Sequence, residues 1–324
     1  MVIGGAGFIG SHMVTSIIEG SVDARVVVYD NFSSGRPWHL ENFLGSKRLK
    51  IIEADAGDKD RLSEAMRDID VVYHFASNPD IARAIKEPDI DFWQGTYLTN
   101  NVLEAMRVNG VKKLLYASGS GIYGDTGLLE VNEDHSPMLP ISTYGASKLA
   151  CEAMICSYCH MFDMQACALR FANVVGPHQT HGVGYDFVKK LEENQSELYI
   201  LGDGNQSKSY IHVSDVVSAM RLLEKKAPWG FSYYNVATED YITVREIADV
   251  VVELMGLEDV RYHFTGGDRG WKGDVPVVRL NSRKIRRLGW KNRYSSKQAI
   301  RLSVESIIED ARAGRFGWSQ RVVK

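Results

Sequence analysis

Two short groups of residues in this chain have the types and spacing to do chemistry. Tyr144 and Lys148 stand four apart in Tyr144-Gly145-Ala146-Ser147-Lys148, which puts both on one face of a helix. An ammonium beside a phenol favours the phenolate, and a positively charged ring nearby favours it further. Such a tyrosine can remove a proton from an alcohol while hydride leaves the same carbon. The second group is Gly4-Gly5-Ala6-Gly7-Phe8-Ile9-Gly10, after a short apolar run and at the head of a helix-length segment. Glycines at 4, 7 and 10 let the backbone turn tightly and approach a pyrophosphate. The helix start at Phe8 and Ile9 supplies free N–H groups and positive dipole potential. Asp30 closes the next apolar run, twenty residues after Gly10. A carboxylate there accepts hydrogen bonds from ribose hydroxyls and repels a 2′-phosphate, which selects NAD over NADP. Asn31 follows it, and Asp55-Ala56 at the end of the next run stand where the adenine edge would lie.

Positioning these groups needs a sheet whose strand ends converge. Val2-Ile3, Arg25 to Tyr29, Leu49 to Ile52, Val71 to His74 and Lys113 to Tyr116 are short β-branched or aromatic runs. Nearly continuous apolar runs suit parallel strands covered on both faces. Amphipathic segments such as Ile9 to Glu19 and Gly95 to Val108 lie between them. The alternation predicts an α/β fold, a Rossmann-type doubly wound parallel sheet, with Ala166 to Phe171 closing this half. From Asn173 onward Gly-rich loops separate shorter elements, as expected of a smaller α/β substrate-binding domain. We therefore divide the chain into residues 1–172, binding NAD, and 173–324, mainly binding substrate with part returning to the first domain. Only Met1 to Ile3 precede the first glycine, so the first strand is clipped or the numbering begins inside a longer chain.

Composition narrows the possibilities. The 324 residues carry 38 Lys+Arg against 41 Asp+Glu, a net charge of −3, which argues against a chain built to neutralise a phosphate polymer. No apolar run reaches the roughly eighteen residues of a membrane span, and no signal peptide is evident. A cytoplasmic location is expected. Cys156 and Cys159 have C-x-x-C spacing with His160 behind them, but no second Cys pair exists to complete a zinc site, so no metal is expected. From Arg279 onward there are thirteen Lys or Arg and three Asp or Glu, which we read as a solvated helical face and not as a nucleic-acid surface.

Along nearly its whole length the chain resembles the extended short-chain dehydrogenase/reductase family, and most closely its UDP-galactose 4-epimerase branch. The motifs run in family order. They are the glycine fingerprint, Tyr29-Asp30-Asn31, His74-Phe75-Ala76-Ser77, Gly95-Thr96, and Ala117-Ser118-Gly119-Ser120-Gly121-Ile122-Tyr123-Gly124. Tyr144 with Lys148, Arg170 to Pro177, Lys208 to Asp215 and Leu288-Gly289-Trp290 complete the set. The resemblance implies NAD as cofactor, bound also by Phe75, Ala76 and Ser77, and a nucleotide-sugar substrate, expected to be a UDP-hexose. It implies transient oxidation at sugar carbon 4, with Tyr144 taking the hydroxyl proton and Lys148 holding the nicotinamide ribose. Asn173, Lys208 and Tyr210 would meet the substrate. It also implies a homodimer built from the Gly95–Val108 and Tyr144–His160 helices, with Leu98, Val102, Leu103, Met106, Met154, Ile155 and Tyr158 supplying apolar surface.

The chain departs from the family pattern at several positions. The Ser or Thr that bridges the tyrosine and the sugar, four residues before the Tyr of Tyr-Gly, is Gly119; Ser118 and Ser120 flank it as substitutes. The family Asn before Gly95-Thr96 is Phe92. The phosphate Arg before Tyr-Ile-His is Lys208, a point charge in place of a fork. A second phosphate Arg is Trp271, with Arg269 upstream as a group that could reach in. The dehydratase Asp-Glu and the decarboxylase Glu are replaced by Ser120 and Gly121, so neither elimination nor decarboxylation has its acid. Val278, where a bulky residue can exclude N-acetylated sugars, suggests a roomier pocket. Of the histidines, His12 is expected to pack on the sheet and His74 to line the cofactor or serve the fold; His178 and His181 stand near the substrate mouth. Two other readings stay open: a nucleotide-sugar oxidoreductase or epimerase at another carbon, and a catalytically weak NAD-binding protein.

Overall fold

The computed structural model describes residues 1–318. Its centre is a seven-stranded, all-parallel sheet. The first strands are β1 (Val2–Ile3), β2 (Val26–Asp30), β3 (Leu49–Glu53) and β4 (Val71–His74). Next come β5 (Lys113–Gly119) and β6 (Gln165–Phe171), and the seventh is Phe231–Val236. The spatial order is β3-β2-β1-β4-β5-β6 and then Phe231–Val236. The order reverses between β1 and β4, and ligands of open α/β sheets bind at that switch point. Val28 and Tyr73 flank Val2 in register, so the short β1 is buried on both sides.

One strand lies outside the predicted set. Phe231–Val236 comes from the second half of the chain and pairs with β6 over six residues, so β6 is interior and does not close the sheet.

Helices from the first half of the chain cover the sheet: α1 (Phe8–Gly20), α2 (Lys59–Ala65), α3 (Leu98–Val108) and α4 (Thr143–Phe162). The segment predicted as one helix from Gly95 is a π-helical turn, Phe92–Tyr97, running into α3. α4 starts where Ser142 Oγ accepts the Gly145 N–H, a side-chain N-cap. Val102, Leu103, Met106 and Ile155 are fully buried in the core on one face of the sheet. Those four are therefore not available to a dimer surface; Leu98, Met154 and Tyr158 remain half-buried.

Part of the remaining chain packs around a separate apolar cluster built from Val183–Glu193, Val244–Met255 and Ser296–Arg312, while Val213–Lys226 packs into the core of the sheet. Short strands tie it together: Tyr210–His212 pairs with Asn173–Val175, and Ser207–Lys208 lies between Ile242–Thr243 and Val277–Val278. Many of the C-terminal cations are bound into the molecule and do not form an open face. Arg279 stacks on Tyr241 at 3.6 Å, Lys284 donates to the Tyr233 carbonyl, and Arg315 pairs with Glu41 and Asp310. Arg321 and Lys324 lie outside the described residues.

Candidate active site

A cleft of about 1270 Å³ runs along the carboxyl ends of the strands and under the second half of the chain. It exceeds the roughly 300–1,000 Å³ of an ordinary small-molecule pocket, leaving room for a dinucleotide and a second ligand.

The glycine turn forms the floor at one end. Gly4 has φ +77°, and a Cβ there would meet the Ala76 nitrogen at 2.8 Å. A Cβ on Gly10 would fall within 3.0 Å of the Gly4 carbonyl and the Gly5 Cα, both backbone. These glycines let helix α1 start against β1 with its amides bare, a cradle that fits a pyrophosphate. Asp30 fixes the turn from the side. Its Oδ2 accepts the Ala6 N–H and its Oδ1 the Phe32 N–H, both at 2.8 Å. Burial raises its pKa and outweighs the backbone donors that pull it down. Asn31 donates to Asp55 Oδ2 at 2.7 Å, and Asp55 Oδ1 accepts the Gly57 N–H. Gly7, Phe8, Ile9, Ala56, Phe75, Ala76 and Ser77 all face the same cleft, so the predicted cofactor residues converge. This donor and acceptor set suits NAD.

Tyr144 and Lys148 stand on the first turns of α4 and line the cleft beside Ala117 to Gly121. Gly145 explains why Tyr144 comes so close: a Cβ there would collide with the Gly121 carbonyl, so only glycine lets α4 press on that turn. Lys148 is buried, donates to the Ala117 carbonyl at 2.7 Å, and its ammonium lies 5.5 Å from the Tyr144 ring centre. Thr143, Ser147 and Thr96 tie the helix to Asp91 and the π-helical turn.

The two hydroxyls flanking Gly119 part company. Ser118 Oγ donates to the buried Glu152 carboxylate at 2.6 Å, so it is committed away from a relay. Ser120 lines the cleft, half-buried. At Gly119 the backbone is extended, and a Cβ would meet nothing within 4 Å. Sequence reasoning missed what lies behind. Glu152 receives three hydrogen bonds from Arg170, which also donates to the Tyr123 hydroxyl and the Glu133 carbonyl. Burial works against the Arg170 charge, but Glu152 more than offsets it and its pKa is raised. Glu152 sits one turn past Lys148 on the same helix face, and that spacing was the available signal.

Across the cleft, Asn173, Lys208 and Tyr210 line the opposite wall. The Asn173 amide nitrogen is buried without a partner, a donor waiting for an acceptor. Lys208 Nζ is bound by Asp274 Oδ1 at 2.7 Å. Trp271 lines the cleft and Arg269 does not; its guanidinium is held by Asp125 and by the Asp274 carbonyl, so the expectation that it reaches in is corrected.

The histidines also sort themselves. His12 Nε2 lies 2.9 Å from the Pro177 carbonyl, and its ring stacks on His178. His178 is sandwiched between His12 and His39 behind the glycine turn, away from the substrate mouth. His39, unnoticed in the sequence, bonds the Ala6 carbonyl at 2.7 Å. His74 is fully buried and bonded to Thr99 Oγ1, which is a fold role. His181 lines the cleft; burial lowers its pKa, and the Asp80 carboxylate partly restores it. Among the described residues no group of His, Cys, Asp or Glu is arranged to hold a metal, and no helix is long and apolar enough to cross a membrane.

Comparison with known proteins agrees with this geometry. The family model described as "NAD dependent epimerase/dehydratase family" matches residues 1–237. A UDP-glucose 4-epimerase of Mycolicibacterium smegmatis is 30% identical over 314 residues, 94% of this chain and 97% of the relative. A crystal structure of UDP-galactose 4-epimerase superimposes with a TM-score of 0.85 at 35% identity, over 95% of this chain and 98% of that one. A dTDP-glucose 4,6-dehydratase from Streptomyces venezuelae with NAD bound gives a TM-score of 0.88 at 25% identity, over 96% and 97%. With a Rossmann-type sheet, an NAD cradle and a Tyr-Lys pair on one cleft, the chain belongs to the NAD-dependent epimerase/dehydratase family of extended short-chain dehydrogenases/reductases, and NAD is its cofactor.

Proposed function

We propose that this protein is a nucleotide-sugar 4-epimerase acting on a UDP-hexose through a transient 4-keto sugar. The observation that carries this reading is the cleft wall at Tyr144. Tyr144 and Lys148 line it, while Ser120 and Gly121 stand where elimination or decarboxylation would need a carboxyl group. Epimerisation at carbon 4 needs a proton to leave and return at one oxygen and room for the 4-keto sugar to rotate, so that hydride returns to its other face; a phenol held beside an ammonium can move that proton. Bound NAD supplies reversible hydride acceptance. The chain's own residues do the rest. Tyr144 takes and returns the hydroxyl proton, Lys148 sets its ammonium beside the Tyr144 ring and holds the nicotinamide ribose, and Ser120 is the hydroxyl left free to bridge. Asn173 donates toward the diphosphate through its unpartnered amide, Lys208 supplies the phosphate-side charge, and Tyr210 walls the nucleotide. The relatives named UDP-glucose and UDP-galactose 4-epimerases support the same substrate class.

Residues 1–172 together with Phe231–Val236 serve the cofactor in this reading, and most of 173–324 serves the substrate. The protein works in the cytoplasm as a homodimer, joined through the outer faces of α3 and α4, where Met154 and Tyr158 remain half-buried. A second reading, oxidation or epimerisation at another carbon, is favoured by one observation: Gly119 removes the usual bridge and Ser118 is engaged by Glu152. Tyr144→Phe tests the assignment. The variant should keep its NAD, measured by absorbance after denaturation, and lose turnover of the UDP-sugar; full activity would refute the role of Tyr144.

A further inference from the structure

Arg269 lies outside the cleft lining, yet both ends of its guanidinium are in use. Nη1 donates to the Asp274 carbonyl at 2.7 Å, and Nη2 pairs with Asp125 Oδ2. Asp125 follows Tyr123-Gly124, at the far end of the turn that begins with Gly119 and Ser120. It is a fixed post. Gly124 is pressed so closely on Leu139 that a Cβ would collide with the Leu139 carbonyl, and Asp125 Oδ1 is bound by the Gly127 N–H. Asp274 carries the chain of contacts onward, with Oδ2 accepting the Gly270 N–H at 3.1 Å and Oδ1 holding Lys208 Nζ at 2.7 Å. Polar contacts therefore run Asp125–Arg269–Asp274–Lys208, through the Asp274 carbonyl and then its carboxylate, from the turn beside Tyr144 across the cleft roof to the phosphate-side lysine. Within the roof Gly266, Gly267 and Gly273 all sit at positive φ, a conformation that favours glycine.

We propose that Arg269 is a positioning residue, a latch that pins the roof segment 266–274 to the catalytic turn and thereby sets where Lys208 and Trp271 meet the substrate diphosphate. This rests on the nucleotide-sugar reading above. Its logic is local. Trp271 stands where the family pattern has a second phosphate Arg, which leaves Lys208 as the phosphate-side cation of this wall, and its placement depends on Asp274, which Arg269 holds by the backbone. The Arg269–Asp125 pair spans 144 residues of sequence at partial exposure, 35% and 26% for the two side chains, and pairs of that kind are worth a few-fold in an equilibrium.

The test is a double-mutant cycle of Arg269→Gln and Asp125→Asn in the full, NAD-loaded protein. UDP binding is followed by calorimetry, KM and kcat with the UDP-sugar, and amide hydrogen exchange over 266–275. Each single variant should weaken UDP about three- to five-fold and raise KM more than it lowers kcat. Each should also speed exchange across the roof. The double variant should be no worse than Arg269→Gln alone, because Asp125→Asn removes only a contact that Arg269→Gln has already lost. Arg269→Lys, able to meet one partner but not both, should fall between. Additive losses, or unchanged exchange in the single variants, would overturn the latch. Wild-type protein that ignores UDP would instead overturn the nucleotide-sugar reading, and the exchange cycle alone would then accept or reject the Arg269–Asp125 coupling.

Discussion

Gly119→Ser probes the least ordinary feature of the site. Position 119 is at φ −161° and ψ 167°, extended backbone that any residue adopts, so serine adds no conformational strain. A Cβ there meets no heavy atom within 4 Å, so there is nothing to push aside. The residue lines the cleft beside Ser120 and Tyr144, and the new hydroxyl would stand in the space a bridging group needs. Folding stability should rise slightly, by about 0.4–1 kcal/mol, because serine restricts the unfolded chain more than glycine. A positioned proton-transfer partner is worth about 10²–10⁴-fold in rate. Since Ser120 already supplies a hydroxyl, we expect a gain near or below the bottom of that range, about ten- to a hundredfold in kcat. Single-turnover interconversion of a UDP-sugar pair, followed by proton NMR with NAD content measured in parallel, reads this directly. A folded, NAD-loaded variant that has lost activity would refute the reasoning, because the glycine would then be making room for the sugar.

Other expectations follow from the same geometry. Gly10→Ala drives a methyl group into backbone atoms of Gly4 and Gly5, so destabilisation at or above the usual 1–3 kcal/mol of overpacking, about 3 kcal/mol, should appear in urea unfolding together with loss of bound NAD. Retained NAD in that variant would contradict the cradle. Arg170→Met leaves the Glu152 carboxylate buried with only Ser118 for company, a loss of about 3–5 kcal/mol, and adding Glu152→Gln should recover part of it. No recovery in the double variant would place the damage elsewhere. Burial lowers the pKa of His39 and His212 to about 4 and of His74 and His178 to about 3. These rings are neutral when folded and take up protons first in the unfolded chain, near pH 6.5. Their stabilisation is therefore complete above about pH 6.5 and falls as pH drops toward 4, by up to about 1.4 kcal/mol per pH unit for each ring. Urea midpoints at pH 7.5, 6 and 5 should show that slope, and a flat profile would contradict it.

Much of this was legible in the sequence because the signals are local. Nearly continuous apolar runs, the glycine spacing and Asp30 twenty residues on pointed to the sheet and the cradle, since each depends on backbone geometry within one βαβ unit. Tyr144 and Lys148 were readable for the same reason: four residues on a helix fix their relation. What escaped depends on contacts distant in sequence. Part of 173–324 was expected to return to the first domain, but Phe231–Val236 looks like any strand of the second half, and nothing nearby says that it is the segment that joins β6. Val102, Leu103, Met106 and Ile155 are apolar whether they face a partner or the sheet, and packing alone decided for the sheet. Arg269 could have entered the cleft, but an acid 144 residues earlier captured it. Ser118 and Ser120 are the same residue type two apart and would share a face on a continuous strand, but β5 ends at Gly119 and Ser120 opens a 3-10 turn, so the two side chains part. Only the position of Glu152 shows which hydroxyl is engaged.

The central claim is that the chain interconverts a UDP-hexose and its 4-epimer with NAD as a recycled partner. It is tested most directly by incubating the purified protein with a catalytic amount of NAD and a panel of UDP-sugar pairs. The panel is glucose and galactose, their N-acetyl forms and their uronic acids, each followed by proton NMR alongside absorbance at the NADH band. The account predicts interconversion of at least one pair with no net NADH. Stoichiometric NADH formation, or an unchanged panel with NAD still bound, would contradict it.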